Sequence, residues 1–472
     1  MTQVLFVVSE CAPLIKTGGL ADVAGALPAA LAAHGDTVKV LLPGYRAIKG
    51  KLGKTKVVDS YAHFFGGKAR LLSAKVAGLD LLILDAPHLF DRDGGIYLDS
   101  AGHDWPDNPE RFAALSFVGA HIARDGAGGW MPDIVHGHDW QAGLVPEYLG
   151  DTPFVFTIHN IAFHGNTGAD RMDGLRLDGG RFNADHFEFW GQISALKAGL
   201  MGAAKITTVS QTYAHELLTP HFGMGMDGVL RHRKSDLVGI VNGIDADVWN
   251  PASDPNIKPY TTPKGKQANK KALRKTFGLP PSSGPLCVLV SRLSDQKGID
   301  LLLGCLPDLL ANGGQLALLG SGDPRLEVAL LEAAANHDNI AVKIGYDEAL
   351  SHQMMAGGDV ILVPSRFEPC GLTQLYGLRF GTLPLVALTG GLADTVINAS
   401  PAALAANAAT GFQFFPITQD ALGQAFAQMH ALWAQPAIWG KMQRNAMKSP
   451  VDWAASAADY HGIYAQLMDG ET

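Results

Sequence analysis

Two doubly wound α/β domains, each built on a parallel sheet, are what the sequence predicts, and three observations carry that expectation. A chain of 472 residues exceeds what one ordinary core organises, so two domains are expected. Short runs rich in Val, Ile and Leu alternate with Ala- and Leu-rich helical stretches along the chain, and near-continuous apolar strands between helices mean parallel sheets covered on both faces. Near the middle, "VNGIDADVWNPASDP" (241–255) shifts to turn-forming residues, and a polar stretch containing Lys and Pro follows to about Pro285. The boundary is placed near Gly243, which gives an N-terminal domain of 1–243 and a second domain of 244–451.

Strands are expected at 4–9, 37–43, 79–86, 133–138, 154–159 and 205–210 in the first domain. The second domain repeats the pattern at 286–291, 315–320, 340–346, 359–365 and 383–388. After the first strand, "GGLADVAGALPAALAAHG" reads as a helix with Leu20, Val23, Ala24, Leu27 and Leu31 on one face, kinked at Pro28 and stopped by Gly35.

Composition bounds the chemistry. A formal charge of −8, a pI near 6.1 and no Lys/Arg-rich block exclude a nucleic-acid binder and leave room for a neutral substrate or a local basic pocket. Cys11, Cys287, Cys305 and Cys370 are scattered without a CxxC pair, as expected of reduced thiols. The N-terminus lacks a basic signal-peptide start, and no run approaches the roughly 20 apolar residues that span a bilayer. A cytoplasmic protein without a membrane partner is expected. Nothing in the residue pattern specifies an oligomeric state.

In open parallel sheets, ligands gather at the carboxyl ends of the strands. The chemically informative residues fall at such ends in both halves, which implies a central cleft between the domains. Two of these stretches share the hexapeptide T-G-G-L-A-D: "KTGGLADV" (16–23) and "LTGGLADTV" (388–396). Gly18 and Gly19 precede or open a helix, where bare N–H groups and the positive helix end accept an anion closely, and Lys16 adds a full charge. Thr389, Gly390 and Gly391 lack the lysine and read as a backbone nest. A plain strand-to-helix turn is the bland alternative for each.

"SRLSDQKGID" (291–300) places Arg292 at a strand end and Lys297 five residues later, where a helix begins. Two cations about 4 Å from a diphosphate each contribute on the order of 4 kcal/mol at an effective dielectric near 20, enough to stabilise a departing phosphate without a metal. In "SRFEPCGLTQLYGLRFG" (365–381), Pro369 forces Glu368 into an extended conformation, and Gly371 allows a sharp entry into a helix from about Leu372. Glu368 then sits at the lip of a helix N-terminus, able to bind sugar hydroxyls while the amides of Cys370, Gly371, Leu372 and Thr373 face a phosphate. Cys370 has no general base in its motif and reads as a lining residue.

His136 and His138 in "HGHDWQAG" (136–143) lie two apart on a strand and so share a face. No third ligand follows at metal spacing, so no metal is expected; Asp139 and Trp140 read as sugar-cleft residues, with His159 and Asn160 on the neighbouring strand end and one of the paired histidines in packing. "GSGDPR" (320–325) is a weak dinucleotide signal, because Arg325 stands at its third glycine position.

Eight stretches in order, "KTGGLADV", "HGHDWQAG", "TIHNIAFHG", "VNGIDADVWNP", "SRLSDQKGID", "IGYDE", "PSRFEPCGLTQLYGLRFG" and "TGGLADTV", make the chain resemble the bacterial glycogen synthases, close to plant starch synthases. The resemblance implies the GT-B fold of two Rossmann-like domains, with a C-terminal helix (452–468, in a segment running to 472) crossing back onto the first. It implies transfer of glucose from ADP-glucose to the non-reducing 4-hydroxyl of an α-1,4-glucan, with retention and without cofactor. Carried over by motif, Arg292, Lys297 and Lys16 with Gly18 and Gly19 hold the donor diphosphate. Glu368 and the amides of 370–373 hold its glucose, His159 and Asn160 flank the transferred sugar, and Tyr346 stacks on adenine. Tyr97, Asp139 and Asn242 line the acceptor side.

Two departures stand out. Tyr376 occupies the position eight after Glu368 where related retaining families carry a second glutamate, and Phe189–Trp190 replaces an expected tyrosine-containing pair. Since no motif residue is an unambiguous nucleophile, same-face attack is favoured over a covalent intermediate on a carboxylate. Another nucleotide-sugar glycosyltransferase of the same fold, or a non-catalytic glucan-binding protein, are the alternatives.

Overall fold

The computed structural model describes residues 1–470, which form two compact units: Met1–Asn242 with the C-terminal segment from Trp453, and Gly243–Asp452. The first unit carries strands β1 (Gln3–Val7), β2 (Thr37–Pro43), β3 (Thr55–Phe64), β4 (Gly67–Val76), β5 (Leu79–Asp85), β6 (Ile134–His138), β7 (Phe154–Ile158), β8 (Asn166–Gly168), β9 (Glu188–Phe189), β10 (Gln192–Ser194), β11 (Lys205–Thr208) and β12 (Leu237–Gly239). Nine of them form one sheet in the order β12-β11-β7-β6-β1-β2-β5-β4-β3, and β8, β10 and β9 form a small antiparallel sheet. The central strands are buried along nearly their whole length because helices cover both faces, so they read as continuous apolar runs.

The parallel sheet of the first unit carries an antiparallel edge. β3 and β4 form an antiparallel hairpin on β5, turning at Phe65 (φ +45°) and Gly66 (φ +89°). An antiparallel edge tolerates one wet face, and β3 is exposed at most of its positions, so no apolar run marked it. Register shifts between Val57 and Asp59 and between Tyr61 and Phe64 bend this outer strand, a common way to blunt an edge. The departure at Phe189–Trp190 is a tight hairpin between β9 and β10, with Trp190 at φ +53° and 87% exposed at its tip.

The C-terminal helix Ala454–Asp469 packs on the first unit. Tyr460 and Tyr464 are fully buried in the cluster that contains Phe6, Val23 and Leu27, and the Tyr464 hydroxyl meets His136 Nδ1 at 2.7 Å. Burying each such ring contributes about 2 kcal/mol.

The second unit holds β13 (Leu286–Val290), β14 (Gln315–Gly320), β15 (Ile340–Ile344), β16 (Val360–Val363), β17 (Leu383–Ala387) and β18 (Phe412–Phe414), all parallel, in the order β15-β14-β13-β16-β17-β18. The polar stretch before Pro285 is more than a linker. It contains the helix Lys266–Phe277, closed by Gly278 in the left-handed conformation, and Lys266 and Lys270 are buried in it.

Both sheets reverse their winding direction beside their first strand, between β1 and β6 in the first unit and between β13 and β16 in the second. At such a point the connecting helices leave to opposite faces and open a crevice beyond the strand ends. The motifs cluster at these two crevices.

Candidate active site

In the first unit, the segment after β1 folds back on Glu10. This carboxylate, 3% exposed, accepts from Thr17 N–H at 2.5 Å, from Gly18 N–H at 3.1 Å and from the Thr17 hydroxyl. Gly18 caps the helix Gly19–Ala32, which runs through Pro28 and ends before Gly35 (φ +91°). The expectation of a bare glycine nest is therefore corrected: Gly18 N–H is occupied by an internal carboxylate, placed where the helix end favours negative charge. Lys16 projects at the surface and pairs with Asp22 of the same helix at 2.8 Å. Tyr97 is drawn to this loop, its hydroxyl 2.8 Å from Ser9 Oγ and 3.2 Å from Glu10 Oε1, and burial raises its pKa well above the ordinary phenol value.

Across the switch point, β6 and β7 end in a buried histidine cluster. His136 and His138 share a face as expected and stack at 4.2 Å; His138 Nδ1 lies 3.0 Å from His159 Nε2. His136 is committed to packing, held by Tyr464 and by Thr157 Oγ1 at 2.6 Å. Burial pushes the His136 and His159 pKa values down to about 3, and His138 is also held well below the usual imidazole range, so all three are neutral. Among the described residues, no three His, Cys, Asp or Glu side chains are grouped as metal ligands.

Asp139 leaves β6 with φ +55°, a strained conformation for a non-glycine residue, and its carboxylate accepts from His159 N–H at 2.7 Å and Asn160 N–H at 3.3 Å. Burial pushes its pKa up to about 7 against those two hydrogen bonds, with Glu10 adding to the rise. Asp139 thus clamps the turn that presents His159 and Asn160. Asn242 closes the unit, buried, with its Oδ1 lacking a hydrogen-bond partner.

In the second unit, the loops after β13 and β16 meet. Lys297 Nζ lies 2.5 Å from Glu368 Oε2, which also accepts from the Ser365 hydroxyl at 2.9 Å; Glu368 is 8% exposed. Residues that sequence reasoning missed tie these loops together. Arg366 forms a two-pronged pair with Asp300 at 2.6 and 2.7 Å and donates to the Asp295 carbonyl, and Gln296 Nε2 donates to the Phe367 carbonyl. Gly298 (φ +66°) is required because a β-carbon there would collide with the Pro364 carbonyl oxygen. Arg292 is exposed at the end of β13.

The helix Thr373–Phe380 begins one residue after Leu372, so Gly371 to Thr373 form its entrance, with Gly371 at φ +73°. Gln374 Nε2 holds this entrance by donating to the carbonyls of Cys370 (3.0 Å) and Gly371 (2.8 Å). Cys370 is buried. The second T-G-G loop, read as an anion nest, is instead a backbone dock: Gly391 N–H donates to the carbonyls of Glu368 and Pro369 at 3.1 Å. Thr389 is the buried residue capping this short helix. Tyr346 stands apart beyond β15, 73% exposed, with its hydroxyl on Glu348.

Of the residues missed, Glu10 alone left a trace, as an acid at the end of an apolar strand. Arg366 and Asp300 looked like ordinary surface charges.

The starch synthase catalytic domain family matches residues 3–232, and the glycosyl transferases group 1 family matches residues 271–446. The chain is 68% identical to a glycogen synthase of Jannaschia sp. over 98% of its length and 99% of that protein, and 60% identical to one of Paracoccus denitrificans over 99% of its length and 100% of the relative. Its fold superposes on the catalytic domain of starch synthase IV from Arabidopsis thaliana, bound to ADP and acarbose, with a TM-score of 0.89 and 31% identity, covering 98% of this chain and 99% of that one. Among the described residues no helix is long and apolar enough to cross a membrane. Motif order, two Rossmann-like units and full-length similarity converge: the chain belongs to the glycogen synthase family of GT-B glycosyltransferases.

Proposed function

We propose that this enzyme transfers glucose from ADP-glucose to the non-reducing 4-hydroxyl of an α-1,4-glucan, with retention at the anomeric carbon. The observation that carries the reading is the Lys297–Glu368 pair at the β13–β16 switch point. A cation and a carboxylate held together there suit a sugar phosphate: Glu368 accepts from sugar hydroxyls, and Lys297 with Arg292 binds the diphosphate. As the glucosyl–phosphate bond breaks, negative charge grows on the diphosphate, and preorganised cations stabilise it more than they stabilise the ground state.

Lys16 is assigned to the same diphosphate, which requires it to leave Asp22. Tyr346, on an exposed strand end three strand spacings (about 14 Å) from β16, is assigned to the adenine ring. His159 is neutral and held by Asp139, so it donates a hydrogen bond to the transferred glucose without adding positive charge. Asn160 flanks the same sugar, and Tyr97, Asp139 and Asn242 are assigned to the acceptor side. Retention proceeds by same-face attack, the leaving phosphate oxygen taking the acceptor proton. Lysine and arginine take the place of a divalent ion, so no metal or other cofactor takes part. The free, buried cysteines fit a cytoplasmic site of action.

Incubation with labelled ADP-glucose or UDP-glucose and a glycogen primer, with and without EDTA, tests the reading. Chain extension from ADP-glucose at an EDTA-insensitive rate is expected. Extension from UDP-glucose alone would overturn the donor assignment, a large loss in EDTA would overturn the metal-free phosphate site, and a glucosyl adduct trapped on a side chain would overturn same-face attack.

A further inference from the structure

Trp249, in the "DVWNP" stretch after the domain boundary, has no role in the site described above, yet it occupies an unusual place. Its indole, 7% exposed, is sandwiched between the His352 ring at 3.8 Å and the Tyr376 ring at 3.7 Å, both within 12° of parallel, with Phe380 edge-on at 6.1 Å. The two flanking rings sit on different helices. His352 is on Glu348–Gly357, whose cap Asp347 directly follows Tyr346. Tyr376 is on Thr373–Phe380, whose entrance follows Glu368.

These helices are also joined at their C-terminal ends. The buried Lys266 ammonium donates to the Met355 and Ala356 carbonyls at the end of the first helix and to the Phe380 carbonyl at the end of the second, at 2.9–3.1 Å. Burial lowers the Lys266 pKa to about 7, but Nζ still donates when uncharged, so it pins the two helix C-termini in either form. The far side of the stack is equally firm: His352 Nδ1 lies 2.6 Å from the fully buried Asp254 carboxylate. Burial opposes protonation of His352, but hydrogen bonds with Glu348 and Asp254 outweigh it and raise its pKa, which strengthens stacking on the indole face.

We propose that Trp249 is a positioning residue for the nucleotide-sugar donor: as the spacer between His352 and Tyr376, it sets how far the start of the Tyr346-bearing segment lies from the start of the Glu368-bearing segment. Lys266 pins the C-terminal ends of the helix pair and the indole keeps their middles apart, so Tyr346 and Glu368, ahead of the two helix starts, are held at the separation one donor molecule spans. The proposal rests on the assignment of Tyr346 and Glu368 to the two ends of ADP-glucose. Without the ring, the two helices close onto the space it filled, and the base and sugar contacts are no longer made together.

The test compares Trp249→Leu, Trp249→Phe and Tyr376→Leu in the full-length enzyme, well below the melting temperature of each. Dissociation constants for ADP are measured by calorimetry, and kcat and KM are measured for ADP-glucose and for glycogen. Trp249→Leu is expected to weaken ADP and raise the KM for ADP-glucose by about tenfold, the order a small misplacement of a binding group costs, with the KM for glycogen unchanged. Trp249→Phe restores most of the affinity, and Tyr376→Leu, which keeps the indole but removes one face, lies between them and serves if Trp249→Leu does not fold. A lowered melting temperature with unchanged ADP affinity would show that the ring only packs, and an equal rise in both KM values would show no donor-specific effect; either overturns the proposal. Failure of the wild-type enzyme to bind ADP would instead overturn the donor assignment and the proposal with it.

Discussion

The hexapeptide T-G-G-L-A-D occurs at 17–22 and at 389–394, and the two copies are put to different uses. In both, the glycines follow an interior strand of the sheet and a helix starts at the first or second of them. At the first copy Gly18 is extended (φ −149°), and the nearest atom to a β-carbon built there is Glu10 Oε1 at 3.9 Å. The loop is shaped by a side chain, the Glu10 carboxylate, reaching into two amides. At the second copy Gly390 has φ +44°, and β-carbons on Gly390 and Gly391 would collide with the backbone of Glu368 and Cys370. Here backbone presses on backbone, and the loop supports the peptide that carries Glu368. Identical residues thus serve as a cap in one place and as a buttress in the other, according to what packs against them.

The sharpest way to break this contrast is to remove the cation paired with Glu368, the carboxylate that the second loop supports. Lys297→Ala is expected to lower kcat by about a thousandfold, the upper range for one preorganised transition-state contact; turnover within a few-fold of wild type would remove Lys297 from the reaction. Next is the pair of glycine variants. Gly390→Ala should destabilise the second unit by more than about 2 kcal/mol, because the new methyl meets rigid backbone at a positive φ, whereas Gly18→Ala should cost under about 1 kcal/mol. Equal losses on urea denaturation would erase the distinction. Glu10→Gln keeps the shape but can accept on one oxygen only. It should cost about 1 kcal/mol and raise the KM for ADP-glucose if the loop contacts the donor.

The smallest effect is in pH. His136 and His159, with pKa values driven from 6.5 to about 3 by burial, add stability to the first unit above pH 6.5 that is lost as the pH falls towards 3, because the unfolded chain takes up protons the folded one refuses. Asp139 and Glu147, both raised to about 7 by burial, oppose this as the pH falls from 7 towards their ordinary values of 3.8 and 4.5, since their folded forms bind the proton more readily. His352 in the second unit has a raised pKa, so its contribution is fully present below 6.5 and fades as the pH rises through its folded value. NMR titration should show the His136 and His159 imidazoles still neutral at pH 5; titration near 6.5 would mean that they are not buried neutral.

Much of the site is legible in the sequence. Arg292, His159 and Asn160 can be placed at strand ends, and Lys297 and Glu368 in the loops that follow, because buried parallel strands are apolar along their length and the first polar residues after each run mark the crevice side. The exposed β3–β4 hairpin leaves no such run. The Arg366–Asp300 clamp and the Trp249 sandwich are also hidden, since their partners lie far apart in sequence and none has an unusual local pattern. The spacing of the histidine pair shows that the two rings share a face, but their partners, Thr157 and Tyr464, come from another strand and from the C-terminal helix.

By itself, the sequence determined where strands and helices alternate and which polar residues stand at strand ends, because hydrophobic periodicity and glycine and proline stereochemistry act over a few neighbouring residues. Tertiary structure alone decided that Glu10 fills the first glycine loop, that the second loop braces Glu368, and that one indole spaces two helices. Those outcomes depend on which distant groups reach hydrogen-bond or contact distance, and short-range forces between residues remote in the chain exist only once the chain has folded.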